Sequence, residues 1–186
     1  MQKTIRFECQ RCGNCCTEPG LITYEDFARI ADALGVGRKE FYRKYCEFYP
    51  NLLGLQPRVD SATGHCVFYE TVDNSGSCKV HTIKPIVCRE APLLIDYRSG
   101  VIGISHCKGS DKGPEIVIES HKSELNKVMK FISEYTARIC AKIQPETVRT
   151  YAQYQKQGLT PEEIYILNPL LYHFFEHFAM EEYHIL

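Results

Sequence analysis

The chain has 186 residues, 44% apolar and 24% charged, and its 22 Lys and Arg nearly balance 23 Asp and Glu for a formal net charge of −1. That length buries a real core and excludes a minimal zinc finger, while the charge balance argues against nucleic acid or an anionic membrane as the main partner. No stretch approaches the roughly 18 uninterrupted apolar residues of a membrane helix, and the opening MQKTIRFECQ lacks the apolar core of a signal peptide, so a cytoplasmic location with no membrane partner is expected.

Four of the ten cysteines come first in the chain, Cys9, Cys12, Cys15 and Cys16 in the run CQRCGNCC. Thiolates three residues apart converge on one centre without straining the backbone, so nested CxxC steps point to zinc or an iron–sulfur cluster. Adjacent side chains diverge in most backbone conformations, so the doublet Cys15-Cys16 is expected to face two centres or to bridge them. Next, Thr23 to Asp26 reads as a capping box with Ile22 and Phe27 as the staple, opening a helix along Phe27, Ile30, Ala31 and Leu34 that Gly35 ends. A second helix is expected from about Arg38 to Tyr49, with Tyr42, Tyr45, Cys46 and Tyr49 on one stripe, which makes Cys46 a buried apolar thiol and not a ligand.

The middle of the chain is rich in turn residues. Cys66–Glu70 and Cys78–His81 flank TVDNSGS and read as a hairpin; Leu93–Tyr97 and Val101–Ile104 flank RSG as another, and KPIVCREAP forms a short helical turn carrying Cys88. Cys66, Cys78, Cys88 and Cys107 therefore sit at turns and element ends, and with the first four they make eight ligands, enough for two four-thiolate centres. His65, His81 and His106 neighbour these positions and read as donors to ligands, while Arg11, Lys79, Arg89 and Lys108 offset thiolate charge.

From about Ser120 a helical stripe runs through Leu125, Val128, Met129, Ile132, Ile139 and Ile143, with Cys140 beside it as a second core thiol. A further helix covers Glu146 to Gln157. Thr160, Pro161 and Glu163 then mark a strong helix start, and Asn168-Pro169 interrupts before a last aromatic helix. That helix spells HxxEH with His173, Glu176 and His177, a zinc-peptidase signature, but Phe174, Phe175 and Phe178 share its turns and point to packing or partner binding. No nucleophile with a recognisable base stands out, so no catalytic residue is assigned.

Together CQRCGNCC, CVFYE, CKVHTIKPIVCREAP and CKG resemble the CxxCxxCC, or YkgJ-like, family of zinc- or iron-chelating proteins, over roughly residues 7 to 110 and at all eight cysteines. Pro85, Cys88-Arg89 and Pro92 fit the family's proline and CR segment, with Lys84 where members usually carry Arg. The resemblance implies a metal site and no particular reaction; some members are labelled iron–sulfur oxidoreductases. Flagellin lysine methylases share such a region, yet this chain has no radical-type CxxxCxxC, so methyl transfer does not carry over.

The resulting expectation is a mostly helical α+β protein. Residues 1–115 form a cysteine-cluster domain of short hairpins and loops, and residues 116–186 a helical extension packed on it. Its cofactor is an iron–sulfur cluster or zinc held by Cys9, Cys12, Cys15, Cys16, Cys66, Cys78, Cys88 and Cys107. Its role is electron transfer or metal handling for a protein partner met through the C-terminal helices; the alternative is a zinc-bound interaction module without redox chemistry.

Overall fold

The computed structural model describes residues 3–49, 53–73, 75–96, 99–105 and 107–186, without the side chains of Cys140, Pro145, Val148, Pro161 and Glu162. The fold is α+β, with seven α-helices and short antiparallel strand pairs among the described residues.

Strand β1 (Thr4–Phe7) pairs with the distant β10 (Ser110–Val117), Thr4 opposite Val117 and Phe7 opposite Ser110. The register jumps between Arg6 and Phe7, where Asp111 and Gly113 take left-handed φ values of 65° and 67°. The polar run SDKGPE gives no alternation to announce this strand. Helix α1 (Tyr24–Ala33) opens on Thr23, whose hydroxyl accepts from the Asp26 N–H at 3.2 Å. The expected capping box is half made, because the Asp26 carboxylate is engaged elsewhere.

Helix α2 (Arg38–Tyr45) stops short of the expected Tyr49. At Cys46 the backbone turns to φ −120°, ψ 159°, and β2 (Cys46–Tyr49) pairs with β3 (Gly54–Pro57). Cys46 and Phe48 are buried while Glu47 and Tyr49 are half-buried, the period of a strand. The aromatic spacing fits a helix equally well, and pairing with β3 decides between them.

Strand β4 (Val59–Asp60) pairs with β5 (His65–Cys66), Val59 opposite Cys66. The next hairpin joins β6 (Tyr69–Val72) to β7 (Ser75–Cys78), Tyr69 opposite Cys78, so most of the expected loop TVDNSGS is itself strand and Cys66 belongs to a different pair. The short helix α3 (Ile86–Arg89) and the hairpin of β8 (Leu93–Ile95) with β9 (Ile102–Ile104) lie where their turn residues place them; Tyr97 and Arg98 fall outside the described residues.

The C-terminal part is helical: α4 (Ile118–Lys142), α5 (Pro145–Lys156), α6 (Pro161–Leu167) and α7 (Pro169–Glu182). Thr160 and Glu163 complete a reciprocal capping box at α6. One buried cluster joins Phe27, Phe41, Phe48 and Phe68 to Tyr135, Phe175, Phe178 and Tyr183, so the C-terminal helices share a core with the cysteine-bearing hairpins. Ring contacts run from Tyr183 to Phe27 (5.4 Å), Phe27 to Phe41 (4.9 Å) and Phe41 to Phe68 (6.4 Å), reaching the turn that carries Cys66. Above this core, Glu182 accepts from Arg138 (2.7 Å), Tyr24 (2.9 Å) and Lys142 (3.2 Å), fastening α7 to α1 and α4. The expected domain boundary at residue 115 falls inside β10. No described helix is long and apolar enough to cross a membrane.

Candidate metal centre

Three cysteines share one local device. The sulfurs of Cys66, Cys78 and Cys107 each accept the backbone N–H two residues ahead, from Phe68, Val80 and Gly109, the last at 3.4 Å. An amide aimed at sulfur stabilises a thiolate and fixes its direction, and each of these turns lies at the end of a strand or in a connecting loop. Nothing in CVF, CKV and CKG announces the turn, because the amide belongs to the main chain.

Cys15 and Cys16 lie side by side in one turn. In the 3-10 turn Asn14–Cys16 their thiols hydrogen-bond to one another, which lowers Cys15 to about 6 and raises Cys16. Five sulfurs then share one electrostatic neighbourhood. Cys16 lies in the field of Cys15, Cys66 and Cys78, and Cys88 in the field of Cys66, Cys15 and Cys78. Burial pushes Cys66 up to about 11 and Cys88 up to about 12, with the neighbouring sulfurs adding to both.

The cation that acts on this group is Lys84, whose charge favours the thiolates of Cys15, Cys78 and Cys88. Of the cations expected there, Lys79 pairs with Glu70 (4.0 Å) and Arg89 with Glu124 of α4 (3.8 Å). Lys84 is placed by a clasp from α1. Arg29 donates to the carbonyls of Ile83 (2.6 Å) and Lys84 (3.2 Å), and the Asp26 carboxylate, 3% exposed, accepts the Ile86 N–H at 3.0 Å. The same two side chains pair with each other. They thereby hold the segment that delivers both Lys84 and Cys88. From the other side, Glu90 meets His121 of α4 (2.5 Å).

The N-terminal loop is held at two points by close backbone approach. At Gly76 of β7 a Cβ would stand 2.2 Å from the Arg11 carbonyl, and at Gly109 one would stand 2.2 Å from the Glu8 carbonyl. The first contact seats Arg11–Gly13 on the β6–β7 hairpin; the second, with Glu8 N–H donating to the Gly109 carbonyl (3.2 Å), sets Cys9 beside the Cys107 turn.

Cys46 is fully buried behind Cys66, whose charge it feels, and burial raises its thiol. His65 stacks on Tyr69 (4.5 Å) and its Nδ1 lies 2.8 Å from the Thr63 carbonyl, while His81 is exposed. His106 and the Cys140 side chain fall outside the described residues. In the HxxEH helix Glu176 accepts from Tyr42 (2.6 Å), and His173 and His177 are exposed.

Among the described residues no three His, Cys, Asp or Glu side chains already stand as an ion-binding cage. The donor set nevertheless fits a thiophilic metal: nine described cysteines are free thiols, five of them act on one another electrostatically, and amides and a lysine favour the charged form of several. Residues 8–108 match the family model CxxCxxCC, described as "Putative zinc- or iron-chelating domain". The chain is also 26% identical over 135 residues, 69% of its own length and 71% of the relative's, to "Uncharacterized protein MJ0661" of Methanocaldococcus jannaschii. No solved structure matches it.

Proposed function

We propose, starting from the fact that this chain belongs to the CxxCxxCC family of zinc- or iron-chelating domains, that eight of its cysteines, all but Cys46 and Cys140, hold an iron–sulfur centre serving electron transfer or metal handling for a protein partner. The observation that carries this reading is that Cys15, Cys16, Cys66, Cys78 and Cys88 are uncrosslinked thiols within one another's electrostatic reach. Burial and mutual repulsion keep most of these groups protonated when they stand alone. A multivalent cationic core removes both penalties, so loading displaces their protons and adds its free energy to folding.

Cys9, Cys12, Cys15, Cys16, Cys66, Cys78, Cys88 and Cys107 would supply the ligands. The CxxCxxC step within them is the ligand run of bacterial ferredoxins, which favours iron over zinc. An iron–sulfur cluster supplies one-electron transfer when bound. The chain's own contribution is to orient and neutralise. The Phe68, Val80 and Gly109 amides direct three sulfurs, Lys84 offsets their charge, and Asp26 with Arg29 fixes the segment that brings Cys88. Ile166, Leu167, Leu170 and Phe174, exposed where α6 meets α7, offer an apolar face of the kind a partner protein covers.

Anaerobic purification with iron, acid-labile sulfide and zinc analysis tests the reading. A brown protein with both iron and sulfide is expected. A colourless protein with stoichiometric zinc overturns the iron–sulfur assignment in favour of a structural zinc module.

A further inference from the structure

We propose that the exposed bend between α6 and α7 is a homodimer face, on which a second copy of this chain lies with its α6 across the first copy's α7 and its α7 across the first copy's α6. This takes the apolar face named above and assigns its occupant, and it stands whichever metal the cysteines hold.

The bend is written in the sequence. Asn168 leaves the helical region at φ −138°, ψ 79°, and Pro169 opens α7 at once, so the chain forms two separate helical arms. Ile164 and Tyr165 of the first arm and Leu171, Phe175 and Phe178 of the second are buried in the same core, which leaves the opposite sides of both arms facing outward. There Ile166 is 78% exposed, Leu167 62%, Leu170 79% and Phe174 42%, with Pro169 exposed between the arms. Those exposures amount to about 500 Å² of apolar surface, near the upper end of what a monomer leaves to water, and about 1,000 Å² when two copies close over it, where specific interfaces begin.

The layout of the patch selects a second copy over another protein. A twofold axis along the bisector of the bend carries each arm onto the other. Because α6 runs toward the bend and α7 away from it, the superposed arms are antiparallel. Counted outward from Asn168 in equal steps, Ile166 faces Leu170 of the second copy and Glu163 faces its His173. Among the described side chains Glu163 is the one exposed charge on α6, and His173 is the one exposed polar group between Pro169 and Phe175. Glu163 commits one carboxylate oxygen to the Thr160 N–H (2.8 Å), which leaves the other to accept from an imidazole. His173 turns its Nδ1 toward Glu176 (3.9 Å) and keeps Nε2 for the second copy. Each arm thus carries the polar group that the other lacks, and the contact is made twice. The apolar stretch between the two groups holds no charge among its described side chains that would select an acidic or basic partner.

The test is sedimentation velocity of the intact metal-loaded protein over a range of about 1–200 µM, with metal content read on every sample. A reversible monomer–dimer equilibrium is expected, with Kd of about 1–100 µM for so small a face. L170E alters a side chain outside the core and should weaken association at least about 100-fold, because dimerisation then buries a charge, while metal content and circular dichroism stay unchanged. H173E sets like charges against one another and should weaken association about tenfold, whereas H173K, facing the same Glu163, should keep it or tighten it. A protein that sediments as a monomer throughout, or a dimer that L170E leaves intact, overturns the face. Equal effects of H173E and H173K overturn the antiparallel pairing. Failure to take up metal speaks against the metal reading alone, and failure to associate speaks against the dimer alone.

Discussion

Replacing Gly76 with alanine places a methyl group where the β6–β7 hairpin and the cysteine loop touch. The new Cβ would lie 2.2 Å from the Arg11 carbonyl oxygen and 2.8 Å from Cε2 of Tyr69. Tyr69 can swing aside, but the carbonyl is main chain, one residue before Cys12, in a residue already held at φ 50°. Normal contact therefore requires loop and hairpin to separate by about 1 Å, and overpacking of this kind costs about 1–3 kcal/mol. For a chain of this length each kcal/mol lowers Tm by about 2–4 °C, so a fall of about 2–12 °C is expected. Metal content should fall as well, since the shift moves Cys12 relative to Cys78 across the same contact. Gly103 of β9 is the control. A Cβ there meets nothing within 4 Å, so G103A should be neutral or gain up to about 1 kcal/mol from a less flexible unfolded chain. Thermal melts and metal analysis of both variants give the answer. A G76A protein that melts and loads like G103A refutes the claim that this contact positions the ligands.

Asp26→Ala removes a buried acceptor from the Ile86 N–H and should cost about 1–3 kcal/mol, with faster metal release to a chelator than from D32A on the exposed side of α1; equal release rates would show that the clasp does not steady Cys88. Burial pushes the Glu182 carboxyl up, but hydrogen bonds from Tyr24, Lys142 and Arg138 outweigh it and hold the pKa below the ordinary value. That stability is present above the unfolded carboxyl's pKa and is lost as pH falls through the lower folded value, so E182Q should lose about 1–2 kcal/mol at neutral pH and show a flatter acid limb in urea melts. An acid limb unchanged from wild type would remove Glu182 as its source. Cys12→Ser should lower both metal content and Tm, whereas C46A, which empties a core position, should cost about 1 kcal/mol and keep every metal equivalent; equal metal loss in the two would dissolve the distinction between ligand and core thiols.

The helices were legible where the sequence carries its own punctuation. Thr160, Pro161 and Glu163 mark the start of α6 with a complete box, and the spacing from Leu125 to Ile143 outlines α4. Strands were harder because their partners are remote. β10 reads as a polar loop until β1, more than 100 residues earlier, lies beside it, and β2 passes for the end of a helix because Tyr42, Tyr45, Cys46 and Tyr49 keep helical spacing while the strand pairs Cys46 with Phe48 on its buried face. At the candidate site the cysteines announced themselves by spacing, while the groups that direct them did not. The sulfur-facing amides are main chain, and Asp26 and Arg29 act on residues more than 50 positions away. Lys84, which in the sequence only marks a departure from the family's usual Arg, owes its influence to the fold that brings its charge to bear on three thiols.

The ladder between β1 and β10 also has an architectural consequence. Thr4 stands opposite Val117, so everything from Cys9 to Cys107 is a closed excursion that leaves and returns at one pair of neighbouring residues. A segment whose entry and exit lie side by side can be spliced into a host at a single surface turn without stretching either chain, as tolerated domain insertions are. The ends of the cysteine segment meet that geometric condition, but its core is shared with the helices that follow the seam, so α4–α7 travel with it.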